Sequence, residues 1–404
     1  MRPMLDFEDA LARLLAAAAP LQESGPVPTL AAAGRILAQG VRSTIAVPPL
    51  DNTSMDGYAL RCADVAAAGA RLTVAQRIPA GSVGHVLAPG TAARIFTGAP
   101  VPAGADAVVM QELCELAGDE LTVNHVPKAG EWIRRRGEDI AVGAEVLAAG
   151  MRLSAAHVGI AASVGAAQLT VFRRLRVALF STGDELALPG EPLKPGGIYN
   201  SNRYTLRALL EGLGCEVADL GIVPDSREAT RAALRQAAAG NDLILTSGGV
   251  SVGEEDHVKP AVEAEGALDL WKIAIKPGKP LAFGSVRRAA GAGAAAFIGL
   301  PGNPVSSFVT FLVLVRPFIL KVQGATKLRP RAQGLQADFD YKGDPRREFL
   351  RARINPEGGL ELFPNQSSGV LTSCTWADGL IDNPPEKPIR CGDTVRFLPF
   401  SELL

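Results

Sequence analysis

The sequence predicts a multidomain α/β protein built around a doubly wound, mostly parallel α/β ligand domain. A β-rich insert domain, a linking domain and a C-terminal β domain complete it. Three observations carry this. Between 176 and 327 short apolar runs alternate with amphipathic helical patterns, the signature of βα units. Between 46 and 139 only short β-like runs separated by Gly/Pro turns occur, with no helix of ordinary length. After 327 the chain returns to strand and turn. A chain of 404 residues with 47% apolar residues is too long for one ordinary core and suits several.

Leu5, Ala10, Leu11, Leu14 and Leu15 recur at helical spacing, so an amphipathic helix is expected over 5–19. A second short helical patch is expected over 30–37, before Val47, Pro48 and Pro49. The insert domain spans 46–139, with strands at 94–97 and 107–110. The linking domain combines 1–45 with 140–175 and carries a helix over 154–164. The α/β domain spans 176–327 and opens on a buried strand at 176–180. Asn200 or Ser201 then caps a helix whose Leu206, Leu209, Leu210 and Leu213 share one face. Next come a strand at 217–223, a helix at 227–238, a strand at 243–246 and a helix after Asp256. Further strands near 270–275, 281–284 and 296–299 precede a helix from Pro304. The C-terminal β domain takes 328–404.

Composition narrows the function classes. With 41 basic and 42 acidic residues the formal charge is -1, which gives no electrostatic reason for nucleic acid or an anionic membrane as partner. The most apolar stretch, 308–320, contains Arg316 and Pro317 and is too short to span a bilayer. The N-terminus turns acidic before any apolar run, so no secretory signal is expected. Five scattered cysteines without a CxxC pair suit a reduced, cytoplasmic protein, and four histidines give no structural zinc pattern. The chain lacks the Walker phosphate loop, a strand-following GxGxxG and a GxSxG elbow.

In doubly wound sheets, ligands bind beyond the carboxyl ends of the strands. The strand at 243–246 breaks there into Ser247, Gly248, Gly249, Val250 and Ser251, followed by Glu254, Glu255 and Asp256. Small residues and glycines can aim backbone N–H groups at an oxyanion. Carboxylates beside such a loop call for a divalent cation, Mg²⁺, between them and the ligand. Lys276 and Lys279, bracketed by prolines and glycine, add cations from one tight turn. Asp184 and Glu185 follow the first strand, and Asp225 stands at a helix entry. Pro301 and Pro304 flank a Gly-Asn turn at a helix start. The insert domain carries a polar turn around Asp56, with Thr97 and Asp139 in two further turns. Each of these also suits an ordinary turn or solvated surface; together they point to an anionic ligand.

Taken as a set, the Pro48-to-Ala59 stretch and the segments 246–256, 274–280 and 299–304 resemble the molybdopterin molybdenumtransferase family, whose eukaryotic counterpart is the E domain of gephyrin. The likeness runs from Pro48 to the 366–384 region. It implies an elongated homodimer that inserts molybdate into adenylylated molybdopterin with Mg²⁺ and releases AMP. It implies that Asp56, Thr97, Asp139, Glu185 and Asp256 form the catalytic set, with Asp256 and Glu185 on the metal. Glu254 and Glu255 remain alternatives for that contact. Asp184, Asp225, Ser247, Gly248, Gly249, Ser251, Lys276, Lys279, Pro301, Pro304, Arg351 and Ser367 would bind substrate. Asp56, Thr97 and Asp139 would face the partner subunit's site, and the molybdopterin adenylyltransferase acting one step earlier would hand over the ligand. His257 stands where the family commonly has an aromatic residue. The adenylyltransferase itself is the competing enzyme, but its loop has threonine where Val250 stands and it lacks residues 1–175. A tungstate-handling paralogue and a non-catalytic pterin-binding scaffold are the other readings.

Overall fold

The computed structural model describes residues 4–249, 257–291 and 293–404. Its centre is a six-stranded sheet in the order Glu216–Val223, Arg176–Thr182, Leu243–Ser247, Ala294–Leu300, Pro280–Arg287, Gly266–Lys272. The first four strands are parallel, and the last two add on antiparallel. Arg176–Thr182 and Leu243–Ser247 are buried almost throughout because helices cover both faces. Their residues alternate between two cores. Val177 and Leu179 face the helices Phe7–Ala17, Ser201–Gly212 and Pro304–Val322. Ala178 and Phe180 face Arg227–Gly240 and Val258–Glu265. From the first strand the chain steps to Glu216–Val223 on one side and then back across to Leu243–Ser247 on the other. That reversal opens a crevice where Thr182 and Ser247 end their strands.

The helix Pro304–Val322 runs 19 residues, long and apolar enough to cross a membrane, yet 94% of its apolar window is buried in the protein. It is a core helix. Its middle, Phe311–Val315, widens into a π turn just before Pro317, which has no N–H to give the regular ladder. Buried Arg316 donates to Leu328 O and Glu402 O, tying this helix to the C-terminal segments.

The insert is a six-stranded mixed sheet, Ala107–Met110, Gly57–Leu60, Thr91–Ile95, Ala70–Ile78, Glu120–Val123, Cys114–Ala117. Period-two alternation divides its core: Tyr58 and Leu60 pack on one side, Ala59 and Ala93 on the other. In the linking region, helix Ala155–Ser163 starts at Ser154 through a capping box with His157. The helix expected over 30–37 is not there. Only a short turn of helix at Thr29–Ala31 forms, Gly34 takes φ 77°, and Ile36 and Leu37 bridge to Arg152 and Val171. Long-range pairing has overridden a weak local pattern. The first helix also packs beyond its expected domain. Phe7 meets Phe349 edge-on at 5.3 Å, and Leu11 and Leu14 join the core of the α/β and C-terminal units.

The C-terminal sheet runs Ile275–Lys276, Arg347–Ile354, Gly379–Asn383, Thr394–Pro399, Gln333–Gln336. Its edge strand therefore comes from the α/β domain. The segment expected to end a strand of the main sheet at Ile275 instead pairs, parallel, with Arg347 and Glu348.

Candidate active site

A cleft of about 830 Å³ lies over the reversal point, between the α/β crest and the C-terminal sheet. Several α/β loops and a C-terminal loop meet there. The first loop leaves Thr182 and carries Glu185; the second leaves Ser247. Gly248 has φ 87°, and a Cβ there would sit 2.8 Å from Thr182 O, so glycine lets the two loops touch. Its N–H donates to Leu300 O at 3.1 Å, which removes it from the donors expected to face an oxyanion. The third loop, Lys276 to Pro280, turns at Gly278, where φ is 107° and a Cβ would lie 2.2 Å from Thr310 Oγ1.

Glu185, Asp225, Ser247, Gly248, Gly249, Lys276, Lys279, Pro301 and Ser367 all line the cleft. Asp184 stands beside it, its Oδ1 accepting from Asp225 N at 3.3 Å. Ser251 and Asp256 lie outside the described residues. Pro304 does not line the cleft; it starts its helix, and the next N–H, Val305, donates to Ser368 O at 3.0 Å. That helix end is closed by the C-terminal loop, which corrects its reading as an anion donor. Arg351 is a second correction. It is 1% exposed, and its guanidinium donates to Ser373 Oγ, Phe349 O and Ser367 O. Burial, the main influence, lowers its pKa. The side chain braces the loop bearing Ser367 from behind and does not line the cleft.

Asp56 and Thr97 come together in the insert, outside this cleft. Asp56 Oδ1 accepts from Thr97 N and Thr97 Oγ1, both at 2.7 Å. The Thr97 N–H, then its hydroxyl, hold the Asp56 pKa below the usual carboxylate value. Asp139 donates its N–H to Val47 O and leaves an exposed side chain.

Sequence reading missed several cleft residues. Arg346 lines the cleft, held by Asp344 through its Nε at 3.0 Å. Asn200 is 2% exposed; its Oδ1 caps Arg203 N, and its Nδ2 has no partner among the described residues. Thr182 Oγ1 is likewise buried without a partner among them. Only the helix-capping half of Asn200 had a sequence signal. Arg346 had none, because its place depends on the Ile275–Lys276 strand joining the C-terminal sheet.

The walls differ in charge. Asp184, Glu185 and Asp225 gather at the ends of the first two strands, while Lys276 and Arg346 share Asp344 and Lys279 follows in the same loop as Lys276. Lys276 Nζ lies 3.1 Å from both Asp344 Oδ2 and Glu348 Oε1. Burial would lower the Lys276 pKa, but Glu348 and Asp344 keep it above the usual lysine value. Hydrogen bonds from Arg346 are the main cause holding Asp344 far below the carboxylate range. Lys279 is exposed and makes no ion pair among the described residues. Such a cleft can take an anionic group on one wall and a cation-bridged one on the other.

Models of the MoeA N-terminal region (domain I and II), a probable molybdopterin binding domain and the MoeA C-terminal region (domain IV) match residues 5–165, 178–321 and 335–400. A molybdopterin molybdenumtransferase from Haemophilus influenzae is 41% identical over 92% of this chain and 93% of its own. The chain belongs to the molybdopterin molybdenumtransferase family. A relative of the same name from a Nostoc species is 40% identical over 89% of the chain and 84% of its own length. Among solved structures, a molybdopterin biosynthesis MoeA protein from Pyrococcus horikoshii superposes with TM-score 0.77 at 31% identity, covering 98% of this chain and 99% of that one. This family membership makes the protein an enzyme of molybdenum cofactor biosynthesis, with the architecture expected from the sequence.

Proposed function

We propose that the enzyme binds adenylylated molybdopterin and molybdate in this cleft, cleaves the phosphoanhydride to release AMP and leaves molybdenum on the dithiolene. The observation that carries this is the division of the cleft into a carboxylate wall and a cationic wall over the strand reversal. Lys276, Lys279 and Arg346 hold the molybdate or phosphate oxygens, where a developing anion needs positive charge. Asn200 Nδ2 and Thr182 Oγ1, buried and otherwise unsatisfied, fit polar groups of the ligand. Ser247 and Gly249 line the neighbouring stretch.

Mg²⁺ suits the donor set. No group of three or more ligating side chains occurs among the described residues. Magnesium keeps waters and uses one or two carboxylates plus substrate phosphates. Glu185, on the cleft, and Asp256 would hold it, and the cation would neutralise phosphate charge as the anhydride breaks.

The reading extends to a homodimer. Asp56, Thr97 and Asp139 do not line their own chain's cleft, so they serve the partner subunit's site. A cytoplasmic location, supported by five unpaired cysteines, and delivery of the ligand by the preceding adenylyltransferase belong to the same reading.

The test is AMP release from adenylylated molybdopterin by purified protein with Mg²⁺, with and without molybdate. Molybdate-dependent release is expected. Tight binding without release would point to a scaffold, and release driven only by tungstate to a paralogue. The shared site has its own test, mixing Asp56→Ala with Asp256→Ala subunits. Activity should return in the mixture; verified heterodimers that stay inactive would sink the shared-site reading.

A further inference from the structure

The cationic wall of the cleft is held by groups that have no place in the chemistry proposed above. Asp344 belongs to the C-terminal unit, in the turn before Arg347–Ile354. One of its oxygens, Oδ2, lies 3.1 Å from Lys276 Nζ. The other, Oδ1, accepts from Arg346 N at 3.1 Å and Arg346 Nε at 3.0 Å. Arg346 Nη2 also reaches Oδ2, at 3.3 Å. A single carboxylate thus sits between two cleft cations that would otherwise repel and spread apart.

Lys276 has a second anchor. Glu348 is fully buried, and its Oε1 meets Lys276 Nζ at 3.1 Å and accepts from Tyr341 Oη at 2.6 Å. The Tyr341 hydroxyl and Lys276 thus meet at one oxygen of this carboxylate, while Oε2 is buried with no partner among the described residues. The backbone gives the same register, because Ile275 and Lys276 pair with Arg347 and Glu348 as parallel strands.

We infer that Asp344, backed by Glu348 and Tyr341, is a positioning residue that sets the spacing of Lys276 and Arg346 and so the fit of the oxyanion between them. The inference rests on the assignment of this wall to molybdate, and deepens it. Asp344 itself needs no contact with substrate. Two formal negative charges at Asp344 and Glu348 offset two of the three positive charges at Lys276, Lys279 and Arg346. The placing of these cations therefore matters to an oxyanion as much as their number.

The experiment is a titration of the full-length protein with inorganic molybdate, followed by calorimetry, for wild type and Asp344→Asn. The wild type should bind, and the substitution should weaken binding about tenfold, ~1.4 kcal/mol. The KM for adenylylated molybdopterin should stay within twofold. In a Lys276→Met background the same substitution should cost only about threefold, because one of the two cations it orders is gone. A full tenfold loss in that background, equal losses for both substrates, or no loss at all would overturn the inference. Should Asp344→Asn fold poorly, Tyr341→Phe removes the hydroxyl that fixes Glu348 and should weaken molybdate binding about threefold; an unchanged constant there counts against it equally. No molybdate binding by the wild type would overturn it too. Binding without AMP release would defeat the proposed reaction and leave the titration to decide the positioning role.

Discussion

The two ends of the central sheet treat charge in opposite ways. At the amino end Asp242 is saturated. Arg173 donates to it through two nitrogens at 2.7 and 2.9 Å, Arg176 N adds a third bond at 2.9 Å, and Arg288 approaches to 3.9 Å. At the carboxyl end Asn200 Nδ2 and Thr182 Oγ1 are left without partners among the described residues, and Lys279 stands unpaired among them. One fold supplies both. Buried polar groups that satisfy each other add stability and order, whereas unsatisfied ones at a crevice cost stability and are available to a ligand. The lesson is that the carboxyl end is marked by the polar groups it leaves unanswered, two of them neutral and one charged.

This contrast predicts which substitutions separate activity from stability. Lys279→Met should have the largest effect, lowering kcat/KM about a hundredfold, ~2.7 kcal/mol of transition-state stabilisation, with an unchanged melting temperature. Steady-state kinetics beside a thermal melt checks it, and a stability loss equal to the activity loss would erase the contrast. Asp242→Asn should do the reverse, lowering stability by about 2 kcal/mol at neutral pH while turnover stays within twofold. Burial raises the Asp242 pKa, but Arg173 and Arg176 N overcome it and leave it below the usual value. A carboxylate with a depressed folded pKa stabilises above its unfolded value near 3.9 and loses that contribution as pH falls through the folded one. The gap between wild type and Asp242→Asn in urea unfolding should therefore be full at pH 6 and shrink below about pH 4. The smallest effect belongs to Asn200→Ser. Serine still caps the helix, so stability should hold. Loss of Nδ2 should weaken substrate binding about fivefold, ~1 kcal/mol. Unchanged affinity would show that the orphaned amide faces no ligand.

Much of the α/β unit was legible in the sequence because its signals are local. The apolar run at 243–247 ending in glycines, and Asn200 ahead of a leucine face, need only neighbours in sequence to be read. The misreadings share an opposite cause. The 30–37 patch looked helical until its partners at Arg152 and Val171 claimed it. Arg351 entered as a ligand group only through the family resemblance, whereas Ser373 and the Ser367 carbonyl, distant from it in sequence, hold it buried together with the carbonyl of Phe349. Asp344 and Arg346 were silent for the same reason: Asp344 joins Arg346 to Lys276, a residue far away in sequence. Non-local pairing is what a single sequence conveys least.

The seam at Ile275–Lys276 has a consequence for how such an enzyme can change over time. Because one dipeptide is at once the rim of the cleft and the border strand of the last domain, the two modules cannot drift independently. A shift of the C-terminal sheet by one residue along that border would turn Lys276 to the opposite face and dismantle the cation wall. Changes in ligand preference should therefore arise in the last domain, in residues such as Asp344 that lean on the lysine from outside, while the strand ends of the α/β unit are left intact.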